Sequence, residues 1–128
     1  VTGEENLRPH ENLEVWQKAI EFAVMIYERT KQFPWDERFG LTSQIRRASV
    51  SIPANIAEGA ARQSDKEFLH FLAIAQGSCS EVETEILLAA KLGFLPQPDY
   101  VELKAEADSI GRMLVGLSKH LKKKINQG

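Results

Sequence analysis

Apolar side chains recur every three or four residues along nearly the whole chain, and the rhythm breaks in three places, at 34–40, 62–65 and 93–98. The segments between these breaks run about 23 to 30 residues, which predicts four helices, each roughly 33 to 45 Å long. No segment alternates as a strand would. In the first helix Leu13, Trp16, Ile20, Ala23, Tyr27 and Thr30 form one stripe, expected to face a core. Val15, Ala19, Phe22, Ile26 and Phe33 form a second stripe beside it, so the apolar arc spans about 200°, wider than one bundle seam requires.

The second helix repeats Leu41, Ile45, Ala48, Ile52 and Ile56 at heptad spacing, and its opposite side carries Val50, Ala54, Ala57 and Ala61 rather than charge. Small residues there would let another backbone approach. With Val15, Phe22 and Ile26 of the first helix, they form the expected oligomer face. Ser64, with Glu67 three residues on, marks the start of the third helix. The seam of that helix runs through Phe68, Leu72, Ala75, Cys79, Val82, Ile86 and Ala89 to a glycine stop at Gly93. The fourth helix alternates three and four from Tyr100 through Leu103, Ala107, Ile110, Leu114 and Leu117 to Leu121. Short connections then favour an all-α, antiparallel up-down-up-down four-helix bundle over residues 11–125, preceded by a flexible segment over residues 1–10.

One stretch departs from helix propensity. Pro53 and Gly59 interrupt the second helix, and Pro53, which offers no N–H to the carbonyl of Ser49, should bend it. Gln44, Ser51, Asn55, Glu58 and Arg62 line up as a polar strip beside the core stripe. Folding the second and third helices together brings Arg47 near Glu81 and Gln44 near Glu85, which predicts a network of ion pairs and hydrogen bonds that sets helix register, with a ligand pocket as the other reading.

A length of 128 residues suits one domain, and 43% hydrophobic with 27% charged residues suits a globular one. A net charge of −2 gives no global attraction to nucleic acid or anionic lipid, so such binding would need a local patch. Arg46, Arg47, Arg62, Lys66, Arg112 and Lys119, with Lys122 to Lys124, are the candidates for phosphate contacts, although no exposed aromatics are evident between them. The single cysteine and the lack of a signal-like or membrane-length apolar run make the cytoplasm the expected location.

Catalytic chemistry finds little support. A di-iron site in a bundle needs two Glu-x-x-His pairs, and Glu67–His70 is one pair, with His70 on the outer side of the wheel. Glu81, Glu83 and Glu85 diverge by about 200° per step rather than converge. Cys79 reads as a seam residue. No phosphate loop, nucleophile elbow or zinc spacing is present in the sequence. The expectation is a protein without catalytic residues, metal or cofactor.

Gln44-Ile45-Arg46-Arg47-Ala48 leading into Ser51-Ile52-Pro53-Ala54-Asn55-Ile56-Ala57-Glu58-Gly59 resembles the hallmark of the 23S ribosomal RNA intervening-sequence proteins, also called four-helix bundle proteins. Phe33-Pro34, Glu37-Arg38-Phe39-Gly40-Leu41, Glu67-Phe68, Ile74-Ala75-Gln76-Gly77-Ser78 and Glu81-Val82-Glu83-Thr84-Glu85 extend the resemblance over about Leu13 to Leu121. It implies a small antiparallel bundle assembled as a homopentamer. A structurally related accessory protein of diversity-generating retroelements binds nucleic acid and a reverse transcriptase, but is strongly basic where this chain is not. Together these readings predict a homo-oligomeric module that binds RNA or a nucleic-acid-processing protein. The alternative is a protein-binding scaffold with no nucleic-acid role.

Overall fold

The computed structural model describes residues 8–127, so the expected flexible segment lies outside the described residues up to Leu7. A 3-10 turn, Pro9–Asn12, leads into α1 (Glu14–Thr30). A second 3-10 turn, Trp35–Glu37, precedes α2 (Leu41–Ala60), and α3 (Asp65–Lys91) and α4 (Gln97–Gln127) follow. Each helix packs on the next and α4 closes back on α1, while neither diagonal pair makes backbone contact among the described residues. Cross-links fix the antiparallel order. Arg29 near the end of α1 binds Asp99 (3.1 Å) and Glu102 at the start of α4, and Lys124 near the end of α4 binds Asp65 (3.4 Å) at the start of α3.

Local signals explain the helix ends. Ser64 Oγ accepts the Glu67 N–H (3.1 Å) at the start of α3. At its end Gly93 adopts φ +82, where only glycine is unstrained. The Gly93 N–H then reaches Ala90 O (3.1 Å) and the Phe94 N–H reaches Ala89 O (2.9 Å), the paired bonds of a Schellman stop. The start of α2 is capped from outside by Glu37, whose Oε1 accepts the Leu41 N–H at 3.1 Å. Replacing Ser64 by alanine should cost about 1 kcal/mol in urea unfolding, because a first-turn donor then loses its side-chain acceptor.

Leu41, Ile45, Ala48, Ile52 and Ile56 of α2 are buried as the heptad spacing predicts, and so is the α3 seam from Leu72 to Ala89. α2 runs through Pro53 without a break. α1 requires a correction. Val15 (4% exposed), Phe22 (0%) and Ile26 (0%) are buried with Ala19, as are Ala23 and Thr30 of the stripe expected inside, whereas Ile20 (40%) and Tyr27 (43%) of that stripe face outward. Val15, Phe22 and Ile26 therefore do not belong to an outer oligomer face. Two adjacent apolar stripes look alike on a helical wheel, and the angle at which α2 and α4 bracket α1 decides which of their side chains are covered.

α2 and α3 make the tightest helix pair. Gly59 is buried where α3 crosses it, and the Ser78 hydroxyl donates to Ser51 Oγ across the pair at 2.8 Å.

Candidate functional site

Part of the polar strip on α2 becomes a local network and part remains apart. Asn55 Nδ2 donates to Ser51 O (2.8 Å) and Ser51 Oγ (2.9 Å), which continues to Ser78 of α3, and Arg62 pairs with Glu58 one turn away. Gln44, Arg47, Ser51 and Glu81 rim a single depression of 340 Å³ between α2 and α3. Among the described residues no ion pair joins Arg47 to Glu81, contrary to expectation. Both side chains are exposed, so water already solvates each charge and little is gained by ordering two long chains to meet. Glu85 is buried instead of paired with Gln44. It is 6% exposed, its Oε1 lacks a protein partner, and burial followed by the charge of Glu81 pushes its carboxyl up to about 7.

The cations expected to contact phosphate do not share one surface. Arg46 and Arg47 lie in the first half of α2. Arg62 and Lys66 flank the α2–α3 turn at the other end, beside His70 and Phe71. Arg112 lines a groove of 390 Å³ between α3 and α4 with Cys79, Glu83, Asp108 and Gly111, and Lys119 is exposed farther along α4. Cys79 donates to Ala107 O at 3.5 Å, and burial, with Glu83 and Asp108, pushes its thiol up to about 11, so the neutral and weakly nucleophilic form prevails at neutral pH. Glu67 and His70 are both exposed, and no three His, Cys, Asp or Glu among the described residues converge as metal ligands.

Two surface features stand out. Ile20, Val24 (56% exposed) and Tyr27 line the outer side of α1, Val50 (44%), Ala54 and Ala57 lie on the outer side of α2, and Arg46 enters at the Tyr27 end. The antiparallel register follows from Arg46, whose Nε donates to Thr30 Oγ1 at 2.9 Å and whose guanidinium lies 4.7 Å from the centre of the Tyr27 ring. One turn farther, α-helical spacing sets Val50 beside this junction. Ala57 and Ala61 also border the N-terminal turn at Pro9 and His10. The second feature is the α1–α2 corner, where Trp35 (76%) and Phe39 (84%) are the most exposed large apolar side chains described. Arg38 lies against both, 3.9 Å and 4.8 Å from their ring centres. These aromatics fall in a breaker segment, which periodicity ignores. Their presence in a loop, where no core claims them, was the available signal.

A ring of four long antiparallel helices, with its polar strip between α2 and α3, places the chain among small all-α bundle proteins. The chain belongs to the 23S rRNA-intervening sequence protein family, which matches residues 11–116. It is also similar to the crystal structure of a protein of unknown function from the S23 ribosomal protein family of Bacteroides thetaiotaomicron VPI-5482, with 29% identity and a TM-score of 0.77 over 82% of this chain and 98% of that one. None of the curated proteins matches. No helix among the described residues is long and apolar enough to cross a membrane.

Proposed function

We propose that the chain is a non-catalytic subunit of a homo-oligomer, five-membered as the family resemblance implies, whose assembled surface binds RNA. The observation that carries assembly is the apolar outer face of α1 and α2, where Ile20, Val24 and Val50 stand 40% to 56% exposed. In a chain that is 27% charged, a face this apolar gains from burial against another copy. A closed ring of five uses a head-to-tail contact, so each subunit must present two different surfaces. Leu88, near the end of α3, and Leu92, just after it, are exposed apolar side chains that a second contact could cover. RNA is favoured over a purely protein-binding role by the arginine and aromatic side chains gathered at the α1–α2 corner.

Light scattering on a size-separated sample tests assembly. The wild type should give a multiple of the chain mass, and Val50→Glu should reduce it with helical content retained, because a buried unpaired charge costs several kcal/mol only in the assembled state. A wild type at the mass of one chain contradicts the reading. Retention of a mixed RNA pool that falls steeply from low to moderate salt supports the RNA role, and no retention at low salt removes it.

A further inference from the structure

Three arginines and two aromatic rings converge on one depression of 360 Å³ outside the α1–α2 corner. Tyr27 comes from α1, Arg38 and Phe39 from the connection, and Thr42, Arg46 and Arg47 from the first turns of α2. No carboxylate lines it. Glu37, close by in sequence, is engaged at the Leu41 N–H. Each arginine is held differently. Arg46 is tied to Thr30 and lies against the Tyr27 ring, Arg38 lies against Trp35 and Phe39, and Arg47 is exposed with no ion pair or hydrogen bond among the described residues. Thr42 is 7% exposed, yet its Oγ1 has no protein hydrogen-bond partner. The site thus combines unspent donors, concentrated positive charge and ring faces left in water.

A guanidinium held by a ring is restrained in orientation while its planar fork of donors remains suited to a phosphate. Rings as exposed as Trp35 and Phe39 offer stacking surface to bases, but bases are presented face-on only when a strand is unpaired. Trp35 lies outside the depression, against Arg38, which also lies against Phe39, so a ring, an arginine and a second ring stand side by side. We propose that this corner binds single-stranded RNA, with bases stacked on Trp35 and Phe39 and phosphates on Arg38, Arg46 and Arg47. The proposal rests on the RNA-binding part of the reading above and is independent of assembly.

The test uses the full chain and a labelled twelve-nucleotide oligouridylate at about 50 mM salt, read by fluorescence anisotropy. Wild type binds, and affinity falls steeply as salt is raised. Trp35→Ala and Phe39→Ala each weaken binding about tenfold, the usual worth of one stacked base. Arg47→Glu weakens it at least as much and makes the salt dependence shallower. Lys119→Glu on α4 leaves affinity within about twofold. Thermal melts confirm that these exposed-site variants fold. The proposal is overturned if wild type does not bind the oligonucleotide, if all variants bind equally, or if uridine monophosphate binds as tightly as the strand, which would mark a free-nucleotide site. It is overturned also if the ring variants dissociate the oligomer and keep full affinity. RNA-pool retention that is indifferent to the corner variants removes this site and leaves the RNA function standing. Undiminished oligonucleotide binding by a dissociated Val50→Glu supports the site and shows that assembly is not required for it.

Discussion

Replacing Gly59 by leucine lowers the stability of the bundle by about 3 kcal/mol or more, and alanine at the same position costs about 1 to 2 kcal/mol net. A Cβ at Gly59 would lie 2.8 Å from Phe68 Cδ1, 2.8 Å from Phe71 Cβ and 3.2 Å from the Phe68 carbonyl oxygen, where carbon contacts prefer roughly 3.5 to 4.0 Å. The Phe68 ring can swing aside. Phe71 Cβ and the Phe68 carbonyl belong to the frame of α3, so α2 must move away from it. That separation loosens the packing along the pair and strains the hydroxyl contact between Ser51 and Ser78. Alanine would otherwise gain about 1 kcal/mol inside a helix, and this offsets only part of the overpacking cost. Gly116, on α4, meets nothing within 4 Å of a built Cβ, so Gly116→Ala should be neutral to stabilising by up to about 1 kcal/mol. Urea unfolding of the three variants reads the contrast. A Gly59→Ala protein as stable as Gly116→Ala would show that the two helices are not in such close contact.

Stability should fall between pH 5 and pH 8, and Glu85→Gln should remove most of the fall. Glu85 is buried on α3 with an unpartnered Oε1, and burial, reinforced by Glu81, raises its carboxyl from 4.5 to about 7. A raised carboxyl means that the folded chain holds the proton more tightly than the unfolded chain. The stability gained from protonation is therefore complete below about pH 4.5 and is lost as pH rises through 7. The full loss is on the order of 2 to 3 kcal/mol. Glutamine is neutral at every pH and close in shape, so the variant should be nearly flat across this window and more stable than wild type at pH 8. Urea unfolding at pH 5, 6, 7 and 8 for both proteins checks the sign, and a wild type that gains stability toward pH 8 would sink the account.

The helices themselves were legible because their signals are local. Ser64 before an apolar run, Gly93 after one, and the unbroken three-and-four spacing of α4 depend only on neighbours in sequence. The outer face of α2 was legible for a related reason: Val50, Ala54, Ala57 and Ala61 omit charge where a solvated helix would carry it. Along the polar strip Asn55, Ser51 and Ser78 form hydrogen bonds and Arg62 pairs with Glu58, but the bridge expected from Arg47 to Glu81 does not form. Spacing sets Arg47 near Glu81, but whether two exposed side chains pair depends on rotamer entropy and solvation, which sequence spacing does not encode. The corner arginines were visible singly. Their stacking on Trp35, Phe39 and Tyr27 was not, since it joins the end of α1, a connection and the start of α2.

Sequence by itself determined the four helices, their ends, the core rows of α2, α3 and α4, and membership of the family. Periodicity, capping and short connections act over a few residues, and a bundle follows from burying the resulting stripes. Tertiary structure alone decided which side chains of the two apolar stripes on α1 are covered, leaving Ile20 and Tyr27 outside. It also decided that Glu85 is buried without a partner, and that Trp35 and Phe39 stand with three arginines at one corner. Those outcomes depend on the azimuth of each helix about its axis and on the path of one connection. Both are set by packing against distant residues, and neither leaves a period in the chain.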